Sequence, residues 1–149
     1  MARALVTGAN GFLGLYLVEQ LVARGDRVTA LCRREHRGLK ELGVQLVLAD
    51  IRDRDAVIAA CRDVDTVYHA AAVAGIWGPW EHFYSINTQG TRNVIDGCRA
   101  GGVGKLVYTS SPSVTFDARD QEGSQGTPRT AIRPTERGRE REGHRDRNG

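Results

Sequence analysis

A doubly wound parallel α/β sheet is the fold class that the sequence predicts, and two observations predict it. Short apolar runs alternate with stretches of helical periodicity from the N-terminus to about residue 109, and the first run ends in a glycine-rich turn. Strands separated by helices pair in parallel, because a parallel connection must cross over the sheet and a helix is the usual way across. At 149 residues the chain has room for one domain of ordinary size.

Each element has its own signal. Ala4 to Thr7 is an apolar run that stops at a glycine, and Leu13, Leu17, Val18, Leu21 and Val22 then recur at helical spacing until Gly25 ends the pattern. Val28 to Cys32 reads as a second strand, Arg34 to Leu42 as a short polar helix and Val44 to Ala49 as a third strand. Asp53 is placed to cap a helix running through Cys61, with Asp50 as its competitor for that role. Thr66 to Ala71 is a fourth strand, Trp80 to Ala100 one long amphipathic helix and Lys105 to Thr109 a fifth strand. The expected sheet has about five strands in the order 3-2-1-4-5.

The first strand runs into Thr7-Gly8-Ala9-Asn10-Gly11-Phe12-Leu13-Gly14, with glycines three residues apart. Gly8 permits a tight strand-to-helix turn, Gly11 lets backbone approach a pyrophosphate, and Gly14 allows the helix to pack closely. The phosphates then rest on the helix N-terminus, where the backbone N–H groups of residues such as Asn10, Phe12 and Leu13 and the helix dipole favour negative charge. A glycine turn of this spacing, after a strand and opening a helix at the head of alternating units, is the fingerprint of a Rossmann-type half-domain that binds NAD or NADP. At the end of the second strand Cys32-Arg33-Arg34 offers arginines to a ribose 2'-phosphate, which favours NADP, while Glu35 keeps NAD open. Asp50, ending the third strand on the edge where ligands bind, can accept a hydrogen bond from the adenine amino group or cap the next helix.

Composition excludes several classes. The net charge of +3 arises from intermixed acids and bases, too balanced for a nucleic-acid surface. Cys32, Cys61 and Cys98 are odd in number and far apart, which fits neither a disulfide framework nor zinc-ligand spacing and points to a reducing cytoplasm. No apolar stretch approaches membrane-spanning length and no signal-peptide pattern opens the chain, so a soluble protein is expected. Residues 120–149 hold only Ala131 and Ile132 as non-proline apolar side chains, which predicts a disordered tail behind a domain at 1–119.

The glycine turn, the Asp50-Ile51 pair, His69-Ala70-Ala71-Ala72 and Tyr108-Thr109-Ser110-Ser111, in that order, resemble the extended short-chain dehydrogenase/reductase superfamily of the NAD-dependent epimerase/dehydratase type, over about residues 3–122. The segments from Ala74 to Trp80, Asn87 to Val94 and Val107 to Asp117 look most like its 3β-hydroxysteroid dehydrogenase/isomerase branch. The resemblance implies an oxidoreductase acting on CH–OH groups of a small alcohol or ketone, sterol-like among the options, with a nicotinamide dinucleotide. It puts Gly8, Gly11 and Gly14 on the pyrophosphate, Asp50 and Ile51 near adenine, and Ala70 and Ala71 beside the cofactor. It implies a supporting role for Asn87 and a substrate hydrogen bond for Ser111, with Ser110 its neighbour. By bare residue type Asn87 is a solvated helix asparagine, the alanine row serves sheet packing, and His69 is a strand-end histidine satisfied locally, with no second metal ligand spaced to join it.

One part of the superfamily's chemistry is missing. Its acid/base is a tyrosine beyond the serine, followed four residues later by a lysine that lowers the tyrosine pKa. This chain has no tyrosine after Tyr108 and no lysine after Lys105. The chain as written is therefore expected to be a truncated, inactive cofactor-binding portion, its tail an aberrant sequence from an out-of-frame or mispredicted translation. A non-catalytic nucleotide-binding module and a non-functional fragment are the alternatives. Homodimerisation is doubtful, since of the two helices that usually pair in this superfamily only Trp80 to Ala100 is present.

Overall fold

The computed structural model describes residues 1–75 and 77–111. The expected tail at residues 120–149 lies outside the described residues. The chain divides into two units, Met1–Thr109 and Ser110–Gly149. Among the described residues, the regular elements fall in the first.

Five strands form one parallel sheet: β1 (Arg3–Thr7), β2 (Arg27–Cys32), β3 (Gln45–Leu48), β4 (Thr66–His69) and β5 (Lys105–Tyr108), in the order β3-β2-β1-β4-β5. This is the predicted order. The register sets Thr7 beside Leu31 on one side and beside His69 on the other, so three strand ends meet at one level. The core lies in two layers because strand side chains alternate. Ala4, Val6, Val28, Ala30 and Cys32 face α1 (Phe12–Ala23) and α2 (Arg37–Glu41), packing on Val18, Leu21 and Leu39. Leu5, Leu31 and Val67 point the other way, onto Val57, Cys61, Val94 and Cys98 of the helical layer beyond. β1 is buried from Ala4 to Thr7, as a central strand must be, whereas every residue of the edge strand β5 is exposed.

α3 (Arg54–Ala60) begins where Asp53 was expected to cap it, the Asp53 carboxylate accepting from the Ala56 N–H at 3.1 Å. Asp53→Ala is expected to destabilise the chain by about 1 kcal/mol, the usual worth of an N-cap, and urea denaturation measures it. An unchanged midpoint would show that the cap contributes nothing here.

Beyond shifts of one residue at strand ends, three elements differ from expectation. β4 stops at His69 rather than Ala71, because the Ala71 N–H turns to the Thr7 hydroxyl (3.4 Å) and Val73 is held by the Asn87 side chain. The second helix starts at Arg37 rather than Arg34, with the Cys32 thiol donating to the Arg34 carbonyl (3.1 Å) and His36 extended. The long helix is continuous but not uniform: α4 (Trp80–Phe83) passes into a π-helical segment (Tyr84–Gly90) and then α5 (Thr91–Ala100). Within the π segment the Asn87 carbonyl accepts from the Thr91 hydroxyl at 2.8 Å, a side-chain bond to a carbonyl four residues back that competes with the regular ladder.

Candidate functional site

A cleft opens at the carboxyl ends of β1 to β4, where ligands bind in open parallel sheets. Its floor is the glycine turn. Gly8 adopts φ +68°, donates its N–H to the Leu31 carbonyl (3.0 Å), and leaves so little space that an added Cβ would lie 2.7 Å from the Ala71 Cα. Gly11 closes the turn by donating to the Gly8 carbonyl at 2.9 Å. Gly14 was expected to bring the helix close to the sheet. The structure gives it a more specific task, since a Cβ there would fall 2.1 Å from the Gly8 carbonyl oxygen. Turn and helix start are thus locked face to face.

The N-terminus of α1 is open towards anions. No side chain caps it, no acidic residue lies in its first turn, and the first helical bond runs from the Leu15 N–H to Gly11, after the N–H groups of Phe12, Leu13 and Gly14. Contrast α3, whose start carries both Asp53 and Asp55. The Phe12 side chain is 98% exposed, so of Phe12 only the backbone N–H can serve the turn.

Of the predicted residues, Gly8, Asn10, Gly11, Arg33, Asp50, Ile51, Ala70 and Ala71 line the cleft together. Arg33 is exposed and makes no hydrogen bond or ion pair among the described residues. Asp50 is not a bare acceptor. Its Oδ1 accepts from the Arg52 backbone N–H (2.9 Å) and Nε (3.0 Å), and its Oδ2 accepts from Nη2 (2.7 Å). The bonds from Arg52 hold the carboxyl below the usual carboxylate range, with Arg33 adding a smaller pull, and one lone-pair position on Oδ2 is left over. Ile51 is mostly core, 6% exposed.

Asn87 does not line the cleft. Its side-chain amide bridges the Val73 backbone, accepting from the N–H (2.8 Å) and donating to the carbonyl (2.9 Å), and so fixes the segment that follows β4. His69, the strand-end histidine expected to be satisfied locally, is 1% exposed and bonded on both nitrogens, to Thr7 Oγ1 (2.6 Å) and Thr91 Oγ1 (2.9 Å). Ser110 and Ser111 follow β5 directly and are exposed, and both belong to the second unit. Cleft residues that sequence reasoning missed include Cys32, Ala49, Val73 and Ile86, which carry no motif and are marked only by standing at strand ends or across from them. Among the described residues no cluster of three or more His, Cys, Asp or Glu is placed to hold a metal, and no helix is long and apolar enough to cross a membrane.

The profile of the 3-beta hydroxysteroid dehydrogenase/isomerase family matches residues 5–137. The chain belongs to that family. The match extends past residue 122, where the motifs give out, into the segment expected to be aberrant. The chain is 41% identical over 129 residues to a 2-alkyl-3-oxoalkanoate reductase of Shewanella oneidensis, which covers 86% of this chain and 33% of that protein. It is 38% identical over 133 residues to the human decarboxylating sterol-4-alpha-carboxylate 3-dehydrogenase, covering 89% and 35%. Among solved structures, the UDP-glucose-4-epimerase of Stenotrophomonas maltophila with bound NAD and formylated UDP-arabinopyranose superposes with a TM-score of 0.69 at 26% identity, covering 76% of this chain and 38% of that one. The chain therefore spans about a third of the length of the curated relatives it matches. The superfamily and branch read from the motifs are both those of the match.

Proposed function

We propose that this chain is the dinucleotide-holding portion of an oxidoreductase that interconverts a hydroxyl and a carbonyl group. The observation that carries the reading is the glycine turn locked against an uncapped helix N-terminus at the open end of the cleft. In this reading the N–H groups from Gly11 to Gly14 bind the pyrophosphate, the alanine row lets the cofactor lie against backbone, and Asp50 accepts from the adenine amino group through its remaining Oδ2 position. Bound, NAD or NADP accepts or donates the hydride. Ser111 hydrogen-bonds the substrate oxygen, and Asn87 holds the segment at Val73 in place. Residues 1–119 form the cofactor-binding part and residues 120–149 the tail.

The names of the two relatives narrow the substrate. A 2-alkyl-3-oxoalkanoate and a sterol 4-carboxylate oxidised at carbon 3 share one arrangement: an oxygen function on the carbon next to the one that bears the carboxylate, on an apolar body. We propose that the complete site takes a 3-hydroxy or 3-oxo acid of this kind. The chain as written lacks the tyrosine and lysine that would move the proton, so it binds cofactor without turning over.

Arg33, an exposed guanidinium lining the cleft where β2 ends and without an ion pair among the described residues, favours NADP. At a hundred times its Kd, a bound dinucleotide adds about 2.7 kcal/mol to native stability, which raises Tm by on the order of 10 °C in a domain of this size. NADP is expected to raise Tm more than NAD, and Arg33→Ala to remove the difference. No shift with either cofactor would overturn the binding reading, while equal shifts in both proteins would overturn only the assignment of Arg33.

A further inference from the structure

Two walls of the cleft, the glycine turn and the segment from Ala70 to Val73, are joined by a relay of hydrogen bonds, buried at Thr7 and His69 and half-buried at Thr91 and Asn87, whose protons can be assigned one by one. The Thr91 hydroxyl donates to the Asn87 carbonyl at 2.8 Å. Its only proton being spent, its oxygen must accept from His69 Nε2 at 2.9 Å. Nε2 therefore carries the imidazole proton and Nδ1 is bare. Thr7 then donates its hydroxyl proton to Nδ1 at 2.6 Å, and its oxygen stays free to accept the Ala71 N–H at 3.4 Å. From Asn87 the connection continues through the side-chain amide to both backbone groups of Val73.

We propose that His69, held as the neutral Nε2–H tautomer between Thr7 and Thr91, is a positioning residue that sets the separation of the two walls of the cofactor cleft. Thr7 directly precedes Gly8, and Gly8 lies so close to Ala71 that no Cβ fits between them. The relay fixes this gap from both sides, holding Ala71 through Thr7 and Val73 through Asn87. Among the described residues no carboxylate or cation acts on the ring, and Tyr108 lies beside it with ring centroids 5.5 Å apart. Burial alone keeps the imidazole neutral. The positioning role rests on the reading that the cleft holds a dinucleotide, whereas the tautomer does not.

The test uses the full 149-residue chain with 15N-labelled histidine. Long-range proton–nitrogen correlation at neutral pH is expected to show a protonated Nε2 and a bare Nδ1 for His69, and the opposite tautomer would overturn the relay. Two variants follow. Thr91→Val keeps the shape and loses the hydroxyl, while Thr91→Ser keeps the hydroxyl. Thr91→Val is expected to weaken NADP binding roughly tenfold and to speed amide exchange at Ala71 by a similar factor, with Thr91→Ser close to wild type on both. Equal behaviour of the two variants would overturn the positioning role. Should Thr91→Val fail to fold, Thr7→Ser against Thr7→Ala makes the same comparison from the other end. Should the wild type bind no dinucleotide, the cofactor reading fails, and the tautomer and the Ala71 exchange still decide the relay.

Discussion

Gly14→Ala lowers the stability of the chain by about 2 kcal/mol or more and weakens dinucleotide binding on the order of a hundredfold. Helix propensity alone predicts the opposite sign, because alanine is favoured over glycine within a helix by about 1 kcal/mol. Space decides. The new Cβ would lie 2.1 Å from the Gly8 oxygen, 2.7 Å from the Gly8 carbonyl carbon and 2.8 Å from the Ala9 Cα. All three are backbone atoms that cannot rotate aside, so α1 must back away from the turn whose phosphate-facing N–H groups it helps to present. Gly25→Ala is the control. That glycine has φ +88° but nothing within 4 Å, so the substitution costs only the conformational strain, about 1–2 kcal/mol, and leaves the cleft alone. Urea denaturation and calorimetric titration with NADP separate the two. A Gly14→Ala protein as stable as the wild type would show that the contact between turn and helix is slack.

Acidification from pH 6.5 to pH 4 removes about 3 kcal/mol of stability, through His69 alone. Burial holds this imidazole down to about 4, against an ordinary value of 6.5. In the unfolded chain it takes up its proton near pH 6.5, and in the native chain only near pH 4. Across that window the unfolded state binds more protons, so stability rises with pH and falls as acid is added, levelling off below pH 4. Structurally, a second ring proton would face the Thr7 hydroxyl, which already donates to that nitrogen, and Thr7 would have to turn away. The carboxylates act lower. Asp65, bonded by Arg3, is held down to about 2, and Asp50 is lowered by Arg52, so both lose their contributions below the window in which His69 acts. Denaturation midpoints measured from pH 7.5 to 4.5 are expected to slope in the wild type and to flatten in His69→Gln. A flat wild-type profile would mean that the ring titrates in the folded chain as it does in the unfolded one.

Local signals were readable wherever the cause of a structure lies within a few residues of it. Apolar runs of four to six residues marked all five strands, and the order of the sheet is that of the Rossmann-type fold which the glycine turn marks. Asp53 rather than Asp50 caps α3, as the spacing suggested, and the three glycines form the turn. The motif residues at strand ends came together because parallel strands deliver their carboxyl ends to one edge of the sheet. Asn87 was placed in a supporting role by resemblance, but its partner, Val73, is 14 residues away and carries no motif. Read as bare residues, Thr7 and Thr91 had nothing to distinguish them.

What the sequence determined by itself was the fold class, the strand order, the glycine turn and the family to which those motifs lead, because periodicity, caps and turn conformations depend on neighbours along the chain. Tertiary structure alone decided the rest: the π-helical segment inside the long helix, the contact of Gly14 with the Gly8 carbonyl, and the relay through His69. Thr7 and His69 are 62 residues apart, and His69 and Thr91 are 22 apart. They meet because the parallel register sets Thr7 beside His69 and the π segment delivers Thr91 over the ring. A hydrogen bond of that kind is specified by strand register and helix phase together, and neither is written in any short stretch of the chain.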